Sequence, residues 1–331
     1  MDPLTHTATG LLLGRAGMNR WTPQAAAILA LAANAPDIDV VATAGGSLNY
    51  LHYHRHLTHS LAAAPVMAIL TVALVWAVGG KRLRWAGAFA ASLAAVASHL
   101  LLDWTNLYGI RLLLPFSSSW LRLDLTPVVD IWIWCALFLA FAGPFLARLV
   151  TAEITSGKPQ PGRHGLASAR LALVFLLAYN AGRAVLHERA EAVLNARLYS
   201  GSEPARVAAL PSENPWVWRG LVETGEFYAV ETVDLRGRFD PGRGQMFFKP
   251  QADPALDAAR QSAAFQTFLQ FSQFPLWRVT RAAEPEGGRN VEVFDMRFGT
   301  PAEPGFHAGA LVDARGNVAA AEFQFGVPRA R

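Results

Sequence analysis

"NYLHYHRHLTHSLAAAPVMAILTVALVWAV", residues 49–78, sets four histidines, His52, His54, His56 and His59, directly against an apolar run. From Leu61 to Val78 that run holds no charged residue, and its length approaches the ~20 apolar residues that a membrane-crossing helix needs. Ionisable side chains at such a boundary are costly to bury, so they have a partner or a task.

Three further stretches have the same character: Trp85 to Leu102, Val128 to Val150 and Ala169 to Leu186. Two shorter apolar pieces precede them, Leu4 to Ala16 and Gln24 to Ala35, joined by "GMNRWTP", where Pro23 suits the first turn of a helix. They read as a helical hairpin dipping into the membrane or packed against the bundle. Hydrophobic residues make up 52% of the 331-residue chain, which fits a membrane protein better than a soluble one. The expectation for residues 1–190 is thus an α-helical membrane domain of about four transmembrane helices plus the N-terminal hairpin.

Beyond it, residues 191–210 read as a polar exit helix and linker, and residues 211–331 as a small α+β domain, mainly antiparallel sheet. The period-two stretches "WVWRGLVETGEFYAVETVDLRG", "WRVTRAAE", "NVEVFDMRFG" and "HAGALVDARGNVAAAEFQFG" predict strands, the last pair hinged at Asp313 to Asn317. One helix over Pro254 to Phe271 interrupts them, with Phe265, Phe268, Leu269 and Phe271 as a core face. His307, Asp295 and Arg297 fit a pocket and a solvent-facing strand equally well, and no catalysis is assigned to this domain.

Charge is distributed unevenly. Residues 1–204 carry 15 Lys and Arg against 10 Asp and Glu, whereas residues 205–331 carry 14 against 15. No Lys/Arg-dense run with interleaved aromatics occurs in the basic part, so nucleic acid is not an expected partner; membrane lipids are. Arg15 and Arg20 at the hairpin tip, Lys81, Arg82 and Arg84, and Arg148, Lys158, Arg163 and Arg170 would share one face, cytoplasmic by the positive-inside rule. His6, the "PDID" segment, the histidine cluster, His99, Asp103 and the C-terminal domain then fall on the opposite, non-cytoplasmic side. Asp2 stands where a signal peptide would carry Lys or Arg, so no cleaved signal is expected. The single cysteine, Cys135, excludes an intrachain disulfide.

The candidate chemistry lies before residue 150, where every acid is aspartate, and six of the nine histidines fall before residue 100. In "SHLLLDW", His99 and Asp103 are four apart near the end of a predicted helix, hence on one face, and can reach a single ion. "HRHLTHS" adds His54 and His59 from a loop feeding the first span, and "NAPDIDV" adds Asp37 and Asp39. An i, i+4 His/Asp pair alone can be a helix-surface hydrogen bond, and His52 and His56 can be solvated loop residues. Several segments delivering such groups to one face favour a metal site. Nitrogen and oxygen donors without cysteine suit zinc, one or two ions, with manganese or iron as alternatives. No G-x-S-x-G elbow surrounds Ser60, and no phosphate-cradling glycine motif occurs.

At these residues the chain resembles the YdjM-like family of inner-membrane, metal-dependent hydrolases. The likeness rests on Thr5-His6, on Pro36-Asp37-x-Asp39, on His54-Arg55-x-x-Thr58-His59-Ser60 and on Ser98-His99-x-x-x-Asp103, and is strongest over residues 1–150. His56 stands where the family commonly has glycine and is not counted as a ligand. The His-x-x-x-Asp pair is also similar, distantly, to one in zinc-dependent phospholipase C, although residues 1–150 contain no glutamate to match that enzyme's Glu-bearing helix. The resemblance implies a multi-pass inner-membrane hydrolase whose metal-activated water attacks an ester or phosphoester, lipid-linked substrates included. His6, Asp37, His59, His99 and Asp103 are the expected ligands. His54 or Asp39 would orient a ligand or act as general base, and Arg55 would hold an anionic group. The rival is a non-enzymatic envelope protein whose metal is structural; metal transport ranks last, because the span centres contain no His or Asp.

Overall fold

The computed structural model describes residues 1–79, 82–154 and 163–326. Lys81 and Lys158, two of the basic residues used above for topology, lie outside them. The chain divides into two compact units, one made of Met1–Asp39 and Arg55–Leu186, the other of Val40–His54 and the residues from His187 onward.

The first unit is helical. Its α1 (Pro3–Arg15) starts where the Asp2 carboxylate accepts from the backbone N–H of Leu4 (3.1 Å) and Thr5 (3.0 Å), with Pro3 in the first turn, where its missing donor costs nothing. A turn through Gly17 leads into α2 (Ala25–Ala32), and the two form the expected hairpin. They approach so closely that a Cβ on Gly10 would lie 2.5 Å from the Leu29 carbonyl. The helices α4 (Ala64–Gly79) and α5 (Trp85–Thr105) pack on this hairpin, after the short α3 (Ser47–Tyr53) that belongs to the second unit. The shared core is rich in small residues, Ala32, Ala33, Ala68, Ala91 and Ala95 with Leu29 and Val96, which lets backbones approach as in membrane bundles. Leu70, Leu74, Leu171, Val174 and Leu177 stay exposed, as lipid-facing side chains do. An irregular stretch, held by an Asn106–Thr126 bridge, precedes α6 (Ile131–Ile154) and α7 (Arg163–Asn195).

Among the described residues the span count lies between two and the expected four. Among the described residues, two helices, Trp85–Thr105 and Gly165–Asn195, are long and apolar enough to cross a membrane. The number rises to four only if bent helix pairs, such as Ala25–Ala32 with Pro36–Gly45 at 48°, each count as one span. The Leu61 to Val78 stretch is shortened because its first residues form a turn, leaving 16 residues in α4.

The second unit holds two four-stranded antiparallel sheets. The first runs β1 (Arg206–Pro211), β2 (Val217–Glu223), β3 (Phe227–Asp234) and β4 (Gln245–Phe248); the second runs β5 (Pro275–Arg281), β6 (Arg289–Asp295), β7 (Phe306–Val312) and β8 (Val318–Phe325). The stretch read as linker therefore supplies β1, and the exit helix is the continuation of α7. The single expected helix is two, α8 (Pro254–Arg260) and α9 (Ala263–Phe271), because Ser262 caps a new start by accepting from the Phe265 N–H. Phe265, Phe268 and Phe271 do form its buried face, meeting Trp277, Phe323 and Phe306 at ring separations of 5.6, 5.6 and 5.5 Å. The histidine-bearing loop is also partly helical. Its α3 packs on α9 and β8, and Ser47 Oγ donates to the Phe323 carbonyl at 2.9 Å.

Candidate metal centre

Three chain segments of the first unit meet at the C-terminal turn of α5. The i, i+4 spacing puts His99 and Asp103 side by side, and both are fully buried. Pro36 opens a 3-10 run that presents Asp37 and Asp39. A second 3-10 turn, Leu57–His59, brings in His59, also fully buried.

The donor atoms are closely spaced. His59 Nε2 lies 3.1 Å from His99 Nε2, 3.3 Å from Asp37 Oδ1 and 3.4 Å from Asp103 Oδ2. His99 Nε2 lies 3.7 Å from Asp37 Oδ1 and 3.4 Å from Asp103 Oδ2. A tetrahedral ion with ligands at about 2.0–2.1 Å has ligand–ligand edges of about 3.3–3.4 Å. Five of the six edges of such a tetrahedron are therefore in place, and the group as a whole stays within 4.8 Å.

Tautomers follow from the partners on the other side of each ring. His99 Nδ1 faces the Ala33 carbonyl at 2.7 Å, and His59 Nδ1 faces Asp39 Oδ2 at 3.1 Å. Both oxygens only accept, so each Nδ1 carries the hydrogen and each Nε2 presents a lone pair. Two lone pairs thus oppose each other beside Asp103 Oδ2, which has no hydrogen-bond donor. A cation between them would satisfy these buried acceptors, and the donor set fits a divalent one.

The other expected residues divide clearly. His6 stacks on His99 with ring centroids 3.8 Å apart, its Nε2 3.4 Å from Asp103 Oδ1, so it stands beside the four-donor group and outside it. Burial first, then the neighbouring His99, pushes its imidazole well below the usual range, leaving it neutral. Asp39 orients: besides His59 it accepts from Thr58 Oγ1 at 2.8 Å and from the Arg55 backbone N–H at 2.9 Å. Arg55 adopts φ +55°, a region uncommon for a long side chain and typical of functional turns. Its guanidinium reaches Asp103 Oδ1 (3.0 Å) and Asn106 Oδ1 (3.1 Å) and lies over the Tyr108 ring, so it braces the Asp103 carboxylate. His54 belongs to the second unit, where it stacks on Tyr50 at 4.5 Å.

Partners the sequence did not announce complete the shell. Asn106 is fully buried and donates from Nδ2 to Asp103 Oδ1 at 3.3 Å. The α-amino group of Met1 is buried against the same oxygen. Thr58, quoted above only as part of a motif, is the second donor to Asp39.

Of the basic residues expected on one face, Arg15, Arg84 and Arg170 lie toward the other end of the helices from the cluster. Arg84 donates to the Arg20 carbonyl, Arg170 Nε donates to the Ala16 carbonyl at 3.2 Å, and Arg15 lies over the Phe141 ring. Between Arg84, the N-cap of α5, and Asp103 the helix rises about 28 Å, nearly a bilayer core.

The chain is 25% identical over 312 residues to the "Uncharacterized protein YfhP" of Bacillus subtilis, covering 90% of this chain and 87% of that protein. No solved structure matches it, so the likeness to zinc-dependent phospholipase C rests on the His99/Asp103 spacing alone. The model of the "YdjM inner membrane protein" family matches residues 1–190, which contain every donor of the cluster. With more than half its length matched and its apolar helices in place, the chain belongs to the YdjM inner membrane protein family.

Proposed function

We propose that this membrane protein is a metal-dependent hydrolase, with Asp37, His59, His99 and Asp103 holding a divalent ion, zinc by donor chemistry, and with an ester or phosphoester at the membrane surface as substrate. The observation that carries the reading is the set of five donor–donor distances between 3.1 and 3.7 Å. Such an ion supplies Lewis acidity and a water whose pKa is lowered toward neutrality. The protein's own groups do the positioning. Asp39 and the Ala33 carbonyl hold the two imidazoles in the ligating tautomer, and Arg55 with Asn106 fixes the Asp103 carboxylate. Asp37 is the only one of the four ligands with solvent-exposed side-chain surface, 20%, and marks the side from which a substrate arrives. The basic residues about 28 Å away along α5 support placing the centre on the non-cytoplasmic face.

The test is metal analysis of purified wild type, His59→Ala and His99→Ala, with a hydrolysis screen over phosphoester and lipid ester substrates. Metal and activity lost together are expected; undiminished metal in both variants refutes the centre.

One observation favours a second reading. Four protein donors, three of them fully buried, are enough to close a tetrahedral site, as in structural zinc centres. Cobalt substitution separates the two, because added anions alter the visible spectrum of an open site and leave that of a closed one unchanged.

A further inference from the structure

The apolar surface of α7 ends at Val185 and Leu186, and within two turns the helix presents Arg189 and, just past its end, Arg197. Both line a cavity of about 610 Å³ in the second unit, closed on the other side by the end of β3 and the turn that follows, which contributes Arg238. One carboxylate also lines it, Asp234, and that charge is already neutralised. Arg236 grips it with two parallel contacts, Nε to Oδ1 at 3.0 Å and Nη2 to Oδ2 at 2.8 Å. Arg189, Arg197 and Arg238 have no carboxylate within ion-pair distance among the described residues. Three uncompensated guanidinium groups thus share one cavity.

Guanidinium forks match the oxygens of phosphate, and several together select an anion carrying more than one such oxygen. Placement narrows the source. Exposed Leu177 and Val185 mark the lipid-facing part of α7, so Arg189 follows at the depth of the headgroups. Trp216, 45% exposed, is tied to the cavity wall through its carbonyl, which accepts from the Leu235 N–H at 3.0 Å. An exposed tryptophan beside arginines is the composition of a membrane–water interface.

We propose that Arg189, Arg197 and Arg238 form a phosphate-binding site that takes the headgroup of an anionic phospholipid. The site is separate from the metal centre and stands whether or not that centre is catalytic.

The experiment uses the full-length protein in detergent, with bound lipid counted by native mass spectrometry during titration with phosphatidylglycerol or phosphatidylcholine. Inorganic phosphate is the competitor. Wild type is expected to prefer phosphatidylglycerol, and the Arg189→Gln/Arg197→Gln/Arg238→Gln variant to lose about a hundredfold in affinity, from roughly one interfacial interaction per arginine. A control with equal charge loss elsewhere, Arg260→Gln/Arg281→Gln/Arg315→Gln, is expected to bind as wild type does. Were the triple variant to misfold, Arg238→Gln alone, on an exposed turn, gives the same readout at smaller amplitude. Equal losses in variant and control, or no loss in either, overturn the site. Displacement by inorganic phosphate at concentrations equal to those of the lipid overturns the lipid source while keeping the phosphate chemistry.

Discussion

Nε2 of His59 and Nε2 of His99 face each other at 3.1 Å, each ring pinned from behind by an oxygen acceptor. Because both back nitrogens are committed as donors, the orientation of the facing pair does not depend on what lies between them. A cation held there would meet imidazoles already oriented, which lowers the reorganisation that binding would cost.

That arrangement makes Asp39 testable as a positioning residue. Asp39→Asn keeps the shape but offers His59 Nδ1 an amide where the carboxylate stood, weakening the tautomer preference. Metal affinity should fall about 10–100-fold while a saturated site still fills, as for other outer-shell carboxylates. Chelator competition measures the first quantity and metal stoichiometry at excess zinc the second; unchanged affinity rejects the role.

Gly10 sets the spacing of the N-terminal hairpin. In Gly10→Ala the new methyl would sit 2.5 Å from the Leu29 carbonyl and 2.9 Å from Ala33 Cβ, so the helices must separate. Overpacking of this kind costs about 1–3 kcal/mol. Ala33, whose carbonyl orients His99, is one of the residues displaced. Lower thermal stability accompanied by weaker metal binding is the expected pair of effects, and a loss of stability alone would show that the hairpin does not set the ligand.

In the second unit, Asp295 and Arg297 are both fully buried and joined at 2.6 Å, with Arg297 also donating to the Phe271 carbonyl at 3.1 Å. Asp295→Asn leaves a guanidinium buried without its counter-charge, at a cost of about 3–5 kcal/mol. Asp295→Leu/Arg297→Met should recover much of that. Thermal melts of the three proteins decide the matter, and a double variant no more stable than the single one refutes the account.

Glu231 predicts a pH dependence. It is 3% exposed in β3, and burial, then the neighbouring Asp240, pushes its carboxyl from the ordinary 4.5 up to about 7. Between those values the folded chain holds a proton that the unfolded chain has released, so stability falls as pH rises through this window and levels off above it. Glu231→Gln mimics the protonated form. Its stability should exceed wild type at about pH 8 and equal it at about pH 4. Melting curves at both pH values report the difference, and a gain that is the same at both would point to packing instead.

The His/Asp cluster was readable because its spacing is local. His99 and Asp103 share a helix face through four residues of sequence, and Asp37 and His59 belong to short polar interruptions between apolar runs, where ionisable groups stand out. Asn106 was not readable, since it reaches Asp103 only after the chain leaves α5 and bridges to Thr126. The contact of Arg55 with Asp103 was hidden for a related reason: its positive φ turns the guanidinium toward that carboxylate, which residue type alone does not reveal. In the second unit β1 was missed because Pro204 and Pro211 bracket it like a linker. Proline is tolerated there, at the end of an edge strand that needs hydrogen bonds on one side only. The break between α8 and α9 turned on a single serine within an unbroken helical period.

Residues 40–54 leave the helical unit directly after Asp39 and return to it at Arg55, having contributed α3 to the sheet unit. The two folds are therefore interleaved along the polypeptide and not strung in series. A truncation after Leu186 would strand α3 without α9 and β8, and would loosen the two peptide links that bound the loop carrying Asp39 and Arg55. Dissecting this protein calls for excising 40–54 with a short bridge, and a simple cut in the sequence will not isolate the part that holds the His/Asp cluster.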